Sequence, residues 1–123
     1  MLYAGLLGIL LVGLALNVVR LRLGKKVGLG VGEGGMIEQP VRVHANFTEN
    51  APIFLVLLLV AELTGASSSV LHTAGVVFVV SRLLHAFGLS RARNRSFGRV
   101  AGSAGTMLSI LGLSVYLIAR SIS

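Results

Sequence analysis

At 123 residues the chain is one domain long, too short to carry a catalytic domain beside a regulatory one. Hydrophobic residues make up 54% of it and charged residues 12%, with mean hydropathy +0.89; a water-soluble core of this size cannot hide that much apolar surface, so part of the solvent must be lipid. The net charge of +7 sits in short basic clusters between apolar runs, with too few aromatics to stack bases, which sets nucleic acid aside in favour of anionic lipid headgroups; with no cysteine there is no disulfide, thiolate nucleophile or thiolate metal ligand.

The first apolar run, residues 2–19, is long enough to cross a hydrocarbon layer about 30 Å thick at about 1.5 Å per residue. Arg20, Arg22, Lys25 and Lys26 follow the run, whereas a signal peptide carries its basic residues in front, so the segment is expected to stay as a helix over 2–22. Residues 23–40 hold six glycines with Glu33, Glu38 and Pro40, a loop composition. Gly30, Gly32 and Gly35 match GxGxxG literally, but no strand precedes them, and a flexible loop is the plainer account.

A second span is expected over 41–63, its later half almost purely apolar and its first half bearing Arg42, His44, Asn46, Thr48, Glu49 and Asn50. The short small-residue connection after it makes spans two and three antiparallel neighbours. The third span, 70–89, holds His72, Arg82 and His85; the basic stretch Arg91, Arg93, Arg95, Arg99 leads into a fourth, 99–119. Gly98 with Gly102, and Ala101 with Gly105, are four apart and let helix backbones approach closely. The expected fold is all-α, a single integral membrane domain over residues 1–123 built as a four-helix bundle. Basic residues follow span one and precede span four, while the 62–69 connection has none, so the positive-inside bias puts both basic loops in the cytosol and both termini on the other side. Arg120 alone argues the other way.

A charged side chain in hydrocarbon costs about 2.5–3.5 kcal/mol on insertion scales, so its position reports on packing or function. Arg42, Asn46 and Glu49, at i, i+4 and i+7, fall within about 60° on one face of span two. Arg82 and His85 occupy the same half of span three, Arg20 ends span one and Arg99 opens span four at that level. The four helices are therefore expected to enclose a cationic pocket with Glu49 as buried partner of one arginine. A neutralised pair of Glu49 with Arg42 or Arg82 that fixes helix register would account for part of this. The arginines outnumber the carboxylate, and the surplus calls for an external anion; glutathione would serve, and so would lipid phosphate. His44, about 200° around the helix from Arg42, is expected at the interface or in a subunit contact, and His72, at the far end, to be structural. No His and carboxylate set has metal spacing, and no serine has a hydrolase arrangement.

The segment 42–52, RVHANFTENAP, resembles the RxxxNxxE signature that opens the second helix of MAPEG proteins, the membrane-associated proteins in eicosanoid and glutathione metabolism. Residues 19–26, VRLRLGKK, are similar to the basic exit from that family's first helix, and 82–85, RLLH, to the RxxH of its third. The resemblance implies a homotrimer that binds glutathione as co-substrate between subunits, near the cytosolic side. Carried over, Arg42, Asn46 and Glu49 would bind or position glutathione, Arg20 would contact its carboxylate end, and Arg82 with His85 would line the pocket. An arginine at the start of the fourth helix would stabilise the thiolate; Arg99 suits that place, and Arg95-Ser96 is the alternative. The family's eicosanoid enzymes have a tyrosine where this chain has Leu89 and a second arginine where it has Ala45, and residues 46–62, NFTENAPIFLVLLLVAE, are closer to plainer bacterial members. The expectation is a bacterial inner-membrane protein, a glutathione-dependent transferase or peroxidase for lipophilic small molecules other than eicosanoids. A non-catalytic protein of the same scaffold holding membrane lipids by their headgroups is the alternative. A small multidrug transporter fits poorly, because its key glutamate lies in the first span, where this chain has no acidic residue.

Overall fold

The computed structural model describes residues 1–91 and 97–123. Four long helices follow one another, α1 Leu2–Lys25, α2 Glu38–Leu63, α3 Ser68–Arg91 and α4 Phe97–Ile122, with a single 3-10 turn, Glu33–Gly35, between the first two and no strand among the described residues. All four are long and apolar enough to cross a membrane, so the molecule is an all-α membrane four-helix bundle. Where helix ends differ from the apolar runs they extend outward: α1 continues to Lys25, α2 starts at Glu38, and α4 runs from Phe97 to Ile122. Hydropathy marks only the stretch matched to hydrocarbon, while backbone hydrogen bonding carries on into the polar flank. Pro40 falls in the first turn of α2, not in the loop, because its missing N–H has no intrahelical acceptor there.

α1 stops at Lys26, which adopts left-handed φ 55° and donates its N–H to the Arg22 carbonyl. In the glycine-rich connection Gly32 has φ 78°, and a Cβ there would lie 2.7 Å from Met36 Cγ, so neither the backbone nor the space admits another residue without strain. The α2–α3 turn closes through Gly65 at φ 80°.

Packing follows the helical period. Val43, Phe47, Ala51, Phe54, Leu58 and Ala61 form the buried stripe of α2. Phe54 stacks on Phe78 of α3 with ring centroids 3.8 Å apart and planes at 3°. α3 and α4 make the most extensive contact in the bundle, and their small residues explain it. A Cβ on Gly102 would sit 2.5 Å from both the Ser81 carbonyl oxygen and the His85 nitrogen, and one on Gly98 would sit 2.9 Å from the Leu84 carbonyl oxygen. Outward-facing Ile9, Leu16, Val56, Val80, Leu111 and Ile118 are exposed on the single chain, as a surface solvated by acyl chains requires.

The ends of the bundle are tied differently. At one end the Tyr3 hydroxyl lies 2.6 Å from His72 Nδ1, and Arg120 donates to the Thr64 carbonyl at 3.0 Å, joining the start of α1 to α3 and the end of α4 to the α2–α3 turn. The opposite end gathers the end of α1, the start of α2, the end of α3 and the start of α4, and polar side chains converge toward it.

Candidate functional site

Arg82 organises that convergence. Its position on α3 faces α2 and α4 at once, and the side chain is only 2% exposed. Nη1 donates to Thr106 Oγ1 of α4 at 3.2 Å, and Nη2 donates to Asn46 Oδ1 of α2 at 2.6 Å. The same Nη2 lies 3.4 Å from Nδ1 of His85, one turn along α3 and itself buried. Nε is buried without a hydrogen-bond partner.

Each partner is held in turn. The Thr106 hydroxyl donates to the Gly102 carbonyl at 2.8 Å, which leaves its lone pair for Arg82. Asn50 Nδ2 donates to the Asn46 carbonyl at 2.8 Å and reaches Asn46 Oδ1 at 3.4 Å, so that oxygen accepts from two directions. Gly102 therefore acts twice: it lets α4 approach the backbone of α3, and that approach brings Thr106 within reach of the guanidinium. Arg99, half-buried at the start of α4, lies within electrostatic reach of His85.

Of the residues expected at the site, the fold joins Asn46, Arg82 and His85 and sets the charge of Arg99 beside them. Arg20, Arg42 and Glu49 stand elsewhere on the single chain. Arg42 Nη1 lies 3.6 Å from Glu49 Oε1, with the two side chains 51% and 56% exposed, and exposed Arg20 donates to Asn17 Oδ1 at 3.0 Å. Glu49 is thus not the buried partner of an arginine: it pairs with Arg42 on the outer side of their shared helical face, while Asn46 turns inward. Arg42 has a carboxylate partner in Glu49, while Arg20 holds only the neutral amide of Asn17. Among the described residues Arg82 has no carboxylate at ion-pair distance, and its charge rests on neutral dipoles instead. Arg93 and Arg95 lie outside the described residues, as does the side chain of Leu89.

Sequence reasoning missed Thr106 and Asn50. Thr106 continues the Gly98 and Gly102 stripe by one further i+4 step, and a polar residue in line with a close-approach stripe was the available signal. His72 is bound by Tyr3 at the far end and belongs to packing, and His44 is half-exposed. No three His, Asp or Glu side chains gather to hold a metal ion among the described residues.

The fold and the cluster define the class: a four-span membrane protein built around a buried arginine that three helices share. The chain belongs to the MAPEG family, whose model matches residues 1–119. It is similar to Inner membrane protein YecN of Escherichia coli strain K12, at 34% identity over 110 residues, covering 89% of this chain and 82% of that protein. The protein of the same name in the O6:H1 strain CFT073 matches at the same identity and coverage.

Proposed function

We propose that this protein is a glutathione-dependent transferase or peroxidase of a bacterial inner membrane, acting on lipophilic electrophiles that arrive laterally from the bilayer. The observation that carries this reading is the gathering of Asn46, Arg82, His85 and the charge of Arg99 at one level of the bundle, in the segments that match the family. The donor set suits glutathione, which at neutral pH presents two carboxylates, an ammonium and a thiol. Arg42 and Glu49, already adjacent and open to solvent, offer one partner for a carboxylate and one for the ammonium, and Arg20 offers a second cation. All three face outward on the single chain, where a neighbouring copy in a homotrimer would complete the pocket. The basic ends of α1 and α4 face the cytosol in this reading, with both termini on the other side.

The mechanism is electrostatic. A guanidinium beside the sulfur favours the thiolate over the thiol, raising the nucleophile's population at neutral pH without any protein nucleophile. With an alkylating or arylating electrophile, a sulfur–carbon bond forms as the leaving group departs with its electron pair. With a lipid hydroperoxide, the thiolate splits the oxygen–oxygen bond, and a second glutathione completes a disulfide, leaving an alcohol and water. Arg99 is assigned the contact with sulfur. Replacing it with alanine is expected to lower conjugation or peroxidase turnover by about 100-fold; undiminished turnover rejects the assignment. Isothermal titration with glutathione and with its sulfonate analogue tests the pocket itself. Absence of heat with either, in protein that retains phospholipid, would favour the non-catalytic alternative.

A further inference from the structure

The end of α1 carries a second cationic feature, facing away from Arg20. Arg20 and Arg22 project about 200° apart around the helix, whereas the left-handed turn after Lys25 sets Lys26 beside the same groove as Arg22. With Val19, Leu23, Val27 and Gly28 they line a groove of about 560 Å³. The floor is apolar and open: Val19 is 49% and Leu23 76% exposed, on the last turns of a membrane-spanning helix. The mouth is cationic and held in shape. Arg22 Nη1 donates to the Val27 carbonyl at 3.5 Å, and the Val27 N–H returns to the Arg22 carbonyl at 3.0 Å. After the left-handed turn at Lys26, Val27 and Gly28 complete the groove's lining. No lining residue is acidic, and among the described residues neither Arg22 nor Lys26 has a carboxylate at ion-pair distance.

We propose that this groove binds one anionic phospholipid, its phosphate between Arg22 and Lys26 and an acyl chain along Val19 and Leu23. Charge complementarity selects an anion, and the apolar floor directly beneath two cations selects an anion joined to hydrocarbon. The groove lies at the end of a membrane-spanning helix, where phospholipid headgroups are the adjoining anions. Basic side chains at the end of a span gain from anionic headgroups in this way, and their aliphatic stems lie along the apolar surface.

The test uses the full-length protein in detergent, titrated with phosphatidylglycerol and with phosphatidylcholine, with bound lipid counted by native mass spectrometry. Wild-type protein is expected to retain phosphatidylglycerol in preference to phosphatidylcholine. Arg22→Gln with Lys26→Gln is expected to weaken that binding by roughly fivefold per charge, on the order of thirtyfold for the pair. Lys25→Gln, which removes a charge outside the groove, is expected to bind like wild type. Lys26→Glu, at an exposed position, is expected to lose the lipid as well, with helicity by circular dichroism as the control for folding. Undiminished binding by the double variant or by Lys26→Glu, an equal loss in Lys25→Gln, or equal retention of phosphatidylcholine would each overturn the proposal. So would displacement by inorganic phosphate with no dependence on the acyl chains.

Discussion

A guanidinium buried between helices needs its donors accepted, and Arg82 meets that need with an amide and a hydroxyl in place of a carboxylate. Asn46 accepts the shorter of its two inter-helix bonds, at 2.6 Å, from a half-buried position on α2. Removing that acceptor leaves Nη2 buried with only the long contact to His85, and hydrogen bonds to charged groups contribute about 1.5–3 kcal/mol. Asn46→Ala is therefore expected to lower stability by roughly 2 kcal/mol in a denaturing-detergent titration. Asn46→Asp restores an acceptor and adds an opposite charge, so it is expected to recover most of the loss. If alanine and aspartate behave alike at this position, the bond does not carry the load assigned to it. The sequence pointed to Asn46, Arg82 and His85 through spacing and resemblance, because a polar side chain in an apolar run is conspicuous. It did not reveal that Glu49 would turn outward. Asn46 and Glu49 are only three residues apart on one face, and the choice between inward and outward depends on where α3 lies, which no local pattern encodes.

For the helices themselves, the bundle depends on how closely α4 seats on α3. Glycines on the contact face and glycines elsewhere on α4 should respond in opposite directions. A Cβ at Gly102 meets backbone atoms of Ser81 and His85, which cannot yield without moving the helices apart. Overpacking of this kind costs about 1–3 kcal/mol, and the separation would also draw Thr106 away from Arg82. Gly112 has open space around its Cβ position, so alanine there is expected to raise stability by up to about 1 kcal/mol through helix propensity. Thermal unfolding of Gly102→Ala and Gly112→Ala in the same detergent checks both signs, and an equal response at the two sites would remove the close-approach argument. The four elements were legible because each apolar run has the length of a bilayer crossing, and the small-residue stripe was legible at Gly98 and Gly102. Helix ends were less so, since hydropathy fades before the hydrogen bonds do. The consequence of the stripe, a threonine brought onto a buried arginine, required the third dimension.

Across the whole molecule, the site depends on an up-down-up-down course that gathers alternate helix ends. Tyr3 with His72 and Arg120 with Thr64 hold one set of ends together, so the ends near Lys25 and Phe97 must lie opposite. Because the chain has no cysteine, single cysteines report position without background labelling. Lys25→Cys and Phe97→Cys are expected to react with a membrane-impermeant maleimide from one side of sealed vesicles, and Ser67→Cys and Ser123→Cys from the other. The side taken by the first pair separately tests the proposed orientation, with a cytosolic location expected from the basic clusters at the end of α1 and before α4. Labelling of positions 25 and 97 from opposite sides would break the course itself. The levels of Asn46, Arg82 and Arg99 would then no longer coincide, and neither the shared arginine nor a pocket for an anionic co-substrate would survive that result.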